Sequence, residues 1–98
     1  MEQQLCGGFG GAKQADDRVQ ALVDEVKSQV ESSLWKTFTT FIAHSYKSQV
    51  VAGTNYSVKV QTGDNDYIHV KIFKPLPCNG TQLEVSKIDE NQSIDSAL

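Results

Sequence analysis

The chain changes its hydrophobic period once, and that change decides what it can fold into. Val19, Leu22, Val23, Val26, Val30 and Leu34 recur at intervals of three and four, which places them on one face of a helix. Asp24, Glu25, Lys27 and Glu31 then fall on the watered side. Asp16 is positioned as the N-cap, with Asp17 where the helix dipole favours negative charge. The pattern fades near Ser32-Ser33, and Trp35 is expected to pack at the helix end. From Thr37 onward β-formers dominate. Three turn signals, Val51-Ala52-Gly53, Thr62-Gly63-Asp64-Asn65-Asp66 and Pro75-Leu76-Pro77-Cys78-Asn79-Gly80, divide this remainder into four strands. Ile68, Val70 and Ile72 alternate with Tyr67, His69, Lys71 and Phe73, so one face of that strand is aliphatic and covers the helix while the other is mixed. Phe38, Phe41, Val58, Val60, Leu83 and Val85 are the further core candidates. The expected fold is α+β: a single helix packed on a four-stranded antiparallel meander.

At 98 residues the chain makes one domain, 1–98, with room for one core. Residues 1–15, with glycines at 7, 8, 10 and 11, bury too little to order themselves and read as a flexible arm on a body of residues 16–98. With 39% apolar and 21% charged residues the composition is globular. Net charge is −3 with no basic cluster, which argues against a nucleic-acid binder. No apolar run approaches the length of a membrane span, and no charged n-region leads into an apolar core, so neither a membrane partner nor a secretory signal is expected. Cys6 and Cys78 have neither the number nor the spacing of a disulfide framework or a metal site, and they read as free thiols. No metal and no cofactor are expected. Three sequons, at Asn55, Asn79 and Asn91, read as chance in a chain expected in the cytoplasm.

The turn Gln49-Val50-Val51-Ala52-Gly53 puts an apolar, uncharged, glycine-ended tip where soluble hairpins usually carry polar residues. Successive turns of a meander alternate between its two ends, so the segments around 49–53 and 75–80 fall side by side, opposite the acidic turn Asp64-Asn65-Asp66. The near end is apolar and the far end acidic, as expected of a binding edge and a solvent loop. The bland alternative is a structural hairpin whose valines begin strands, which β-branched residues often do.

Ser48-Gln49-Val50-Val51-Ala52-Gly53-Thr54-Asn55-Tyr56 closely resembles the central motif of the cystatins, and specifically of the stefins, the intracellular inhibitors of papain-like cysteine proteases. The resemblance continues through Leu5-Cys6-Gly7-Gly8, Ala43-His44-Ser45-Tyr46, the stretch Gly63 to Phe73, and Leu76-Pro77. It implies a reversible, tight-binding competitive inhibitor that blocks the active-site cleft with a wedge of arm and two hairpin loops. Protease contacts would come from Leu5, Cys6, Gly7, Gln49, Val50, Val51, Ala52, Gly53, Leu76 and Pro77. It also implies partners of the papain and cathepsin type, a cytoplasmic location, and a monomer when active. The segment after Val85 departs from the family in lacking its closing aromatic residues, and Leu76-Pro77 stands where secreted relatives carry tryptophan.

Two other readings stand beside this one. A cystatin-fold module without inhibition could assemble by exchanging its long hairpin into a domain-swapped dimer. An enzyme would need Cys6 or Cys78 as nucleophile with His44 or His69 as base, yet Cys6 sits in the arm and neither histidine has an evident orienting carboxylate. No catalytic residues are expected.

Overall fold

The computed structural model describes residues 11–80 and 82–98. It has the α+β architecture that the periods predict, with five strands rather than four: β1 (Lys13–Gln14), α1 (Asp17–Leu34), β2 (Ile42–Val51), β3 (Gly53–Gln61), β4 (Tyr67–Pro75), a single 3₁₀ turn (Pro77–Asn79) and β5 (Glu84–Gln92). The strands lie in one antiparallel sheet in the order β1-β2-β3-β4-β5. The added strand falls in the stretch read as arm. Lys13 pairs with Tyr46 and Gln14 with Ser45, and the Ala15 amide donates to the His44 carbonyl at 3.1 Å. Two residues are too few to show an alternation, so only the neighbouring strand reveals this one.

Asp16 caps α1 as its position suggests, its carboxylate accepting from the Arg18 and Val19 amides, both at 3.1 Å. Those bonds hold its pKa below the usual carboxylate value. The helix runs past Ser32-Ser33 to Leu34, which packs against the core, and closes on Trp35 in the left-handed conformation (φ 56°). That conformation turns the indole away from the body, and Trp35 is 94% exposed, so the expected packing role is wrong. Glu31, read as part of the watered face, is half-buried and accepts from the Phe38 amide at 2.8 Å, fastening the chain after the helix.

Val19, Val23, Val26 and Val30 form a buried stripe facing Val58, Val60, Ile68, Val70 and Ile72 of the sheet, with Phe41 and Leu83 closing the core. Full burial of such side chains contributes roughly 1.5–3 kcal/mol each, so this stripe dominates the stability of so small a domain. Phe38 and Val85 pack at its margin. The opposite, outer face of the sheet is closed as well. Ser57, Lys59, Tyr67 and His69 are buried there, and Lys59 is held by carbonyls of the C-terminal residues 93–96.

Candidate functional site

The β2–β3 hairpin turns on a single residue. Val51 pairs with Gly53, which leaves Ala52 alone at the apex. Gly53 has φ 124°, a region L side chains rarely adopt. A Cβ there would meet the Lys74 carbonyl at 2.6 Å and the Phe73 ring at 2.7 Å. Glycine is therefore required twice over, by the backbone and by the strand beside it.

That neighbour is the second loop. Gly53 pairs with Pro75, so β4 ends level with the hairpin tip, and Leu76, Pro77 and Cys78 continue directly from it. Proline at 75 removes an N–H from the end of the strand, and Pro77 opens the 3₁₀ turn. Val50 is 77% exposed, Val51 45% and Leu76 42%, with Ala52 and Pro77 also exposed. Gln49 is half-buried and pairs with Asn55. The sheet register thus brings Gln49, Val50, Val51, Ala52, Gly53, Leu76 and Pro77 to one end. Leu5, Cys6 and Gly7 lie outside the described residues. Because β1 runs antiparallel to β2, following the chain back from Gln14 to Lys13 heads toward this same end.

A groove of about 390 Å³ beside the tip has no single-segment signal in the sequence. The Tyr46 and Tyr56 rings lie there 6.3 Å apart, and Lys13, Arg18 and Lys74 bring positive charge from three different elements. Arg18 is tied to Asp16 at 3.2 Å. The far end is different in kind. Within the turn after β3, the Thr62 amide donates to the Asp66 carbonyl at 2.8 Å and the Gln61 side chain to the Gly63 carbonyl at 2.9 Å.

The histidines are not arranged with Cys78 for nucleophilic chemistry. Cys78 is exposed beyond the near end of β4, His69 is buried in the far half of that strand, and His44 stands edge-on to the Tyr67 ring with 6.0 Å between centroids. Among the described residues no group of three histidine, cysteine or acidic side chains could hold a metal ion, and no helix is long and apolar enough to cross a membrane.

One helix on a single antiparallel sheet is consistent with the α+β cystatin fold, and the family model of the cystatin domain matches residues 7–94. The chain belongs to the cystatin family, proteins that inhibit cysteine proteases and are not enzymes. Within the family it is a stefin. It is 46% identical over 93 residues to cystatin-A of Bos taurus, covering 88% of this chain and 95% of that one. Cystatin-A of Homo sapiens is 44% identical over 90 residues, covering 90% and 92% of the two chains. Cystatin-B of Paralichthys olivaceus is 43% identical over 84 residues, 86% of each.

Proposed function

We propose that this chain is a reversible, tight-binding competitive inhibitor of papain-like cysteine proteases, acting in the cytoplasm as a monomer. The observation that carries the reading is the level alignment of two exposed apolar loops, set by the Gly53–Pro75 pairing. A protease cleft is a concave, partly apolar trough; a convex edge of Val50, Val51, Ala52, Leu76 and Pro77 fills it and releases water from both surfaces. The tip is held by ladder pairs on both flanks of β3, so docking orders little new backbone and loses little entropy. An interface of this kind buries on the order of 800 Å² per partner.

The tip covers the nucleophile without offering it a bond to cut. Ala52 stands at the apex of a one-residue turn whose flanks are paired in the sheet, so at the tip the chain doubles back instead of running on through the cleft as a substrate would. The inhibitor therefore leaves intact. The arm supplies the third contact. Gly7 lies six positions before Lys13, and an extended chain of six steps reaches ~20 Å. From Tyr46, the partner of Lys13, β2 runs five residues to Val51, about 17 Å. Gly7 can therefore stand level with the two loops, with Leu5 and Cys6 in the substrate-side pockets.

Titration of papain with the purified protein tests the reading. A sharp one-to-one end point, with the recovered chain uncut, is expected. Undiminished papain activity overturns it, and a stable dimer in the same preparation would then make the fold an assembly module.

A further inference from the structure

The outer face of the sheet holds a lysine in an unusual setting. Lys59 stands in β3, with strands on both sides of it, and is only 3% exposed. Its ammonium donates to three backbone carbonyls of the C-terminal segment, Ser93 at 3.0 Å, Ile94 at 2.6 Å and Ser96 at 2.6 Å. Three donors meet three acceptors, so the cation is satisfied although no carboxylate among the described residues touches it. The carbonyls are gathered by a local turn: Ser96 N–H donates to the Ser93 carbonyl at 3.1 Å, and Ser93 N–H to Ser96 Oγ at 2.9 Å. Further along, Lys47 of β2 donates to the Leu98 oxygen at 3.2 Å. The tail thus crosses the sheet from the end of β5 toward β2.

Where the tail ends, the arm begins. A groove of about 420 Å³ is lined by Gly11 and Ala12, by Ile94, Ala97 and Leu98 of the tail, and by Lys47. The arm's root is otherwise lightly held. β1 has two pairs, Lys13 and Gln14 are both exposed, and a strand this short at a sheet edge is marginal by itself.

We propose that Lys59 is a positioning residue for inhibition: it latches residues 93–98 across the outer face as a strap, and the strap fixes the root of the N-terminal arm. The proposal deepens the inhibitor reading and rests on it for the effect on a protease. Closing the strap exchanges the hydration of an ammonium for three charge-assisted bonds, while Ile94 and Ala97 stay exposed and Leu98 is half-buried. Burial lowers the Lys59 pKa, with Asp95 opposing. A released strap frees β1, and the arm then samples directions that miss the cleft. The arm's contact is lost more often after docking, which raises the dissociation rate more than it lowers the association rate.

Amide exchange in the full-length chain tests this, with Lys59→Met and Ser96→Ala compared to the unaltered protein. Methionine keeps the stem's packing and removes the ammonium. Ser96→Ala removes the hydroxyl that gathers the carbonyls and carries the test alone if Lys59→Met does not fold. Exchange at Ala15, whose amide bonds His44, should speed up roughly tenfold in both variants while Val26 and Val30 in the helix stay unchanged. Dissociation from papain should speed up by about the same factor. Unchanged protection at Ala15 once the Ser93 and Ser96 amides exchange freely overturns the coupling. A tail that stays protected in Lys59→Met overturns the latch. If the unaltered protein does not inhibit papain, the inhibitor reading fails, and exchange at Ala15 still decides whether strap and arm are coupled.

Discussion

The two ends of the sheet are both hairpin ends, yet they solve opposite problems. At the far end, Asp64, Asn65 and Asp66 face water, and the turn meets its own backbone needs through Gln61 and Thr62. At the near end, Val50, Val51 and Leu76 are exposed although nothing in folding calls for it, and Gly53 is squeezed against Phe73 and Lys74 to keep two loops level. A turn shaped only by stability looks like the far one. Apolar exposure combined with backbone precision is what supports the proposal that this end meets a partner.

The sharpest way to break this comparison is Gly53→Val. A β-branched side chain at φ 124° and within contact of Lys74 and Phe73 must push β4 away. Inhibition of papain should fall by more than about 100-fold and stability by ~3 kcal/mol, read by enzyme titration and urea unfolding. Second in size is Val51→Asp, which puts a charge on the exposed tip. Affinity should drop roughly tenfold to a hundredfold, while stability moves by less than ~1 kcal/mol. Asp64→Ala at the far end is the control and should change neither. An equal loss of inhibition from both would show that the two ends are not functionally distinct.

A third measurement concerns the outer face of the sheet behind both ends. His69 is buried with Nε2 unpartnered, and its pKa is lowered by burial first and by the Lys59 cation second, with Asp89 of β5 opposing. The folded state therefore binds a proton less readily than the unfolded chain, whose ordinary value is 6.5. Stability is complete above that value and declines as pH falls through it. Thermal unfolding followed from pH 7.5 to pH 5 should show the decline, and His69→Gln should flatten it. The smallest effect is expected from Trp35→Gly, next to Lys36, which lines a groove with Thr62 and Asp66 of the far turn; glycine relieves the left-handed cap. Stability should rise by about 0.5–1 kcal/mol, with inhibition unchanged. A loss of inhibition there would mean that the far end also meets the protease.

Local chemistry made much of this legible. The three-and-four spacing of the valines dictates the helix because a buried stripe must recur with the helical turn, and Asp16 caps it because four amides at a helix start lack partners. The apolar tip and its glycine were likewise readable, since residues 49–53 are contiguous, although the crowding of Gly53 by Lys74 and Phe73 comes from the neighbouring strand. Four strands and both loops followed from turn residues. Distance in sequence hid the rest. Lys59 looks like any solvent-facing strand residue until a segment 34 to 37 positions away covers it. Alternation tells which residues share a face and says nothing of what lies over it. Lys13–Gln14 becomes a strand only because β2 offers an edge, and Trp35 is exposed because the chain leaves the helix in a left-handed turn. Spacing and capping are set by neighbours along the chain and belong to the sequence. What closes the outer face, where the arm's root lies and which loops stand level are set by contacts between distant segments, and only the folded chain decides them.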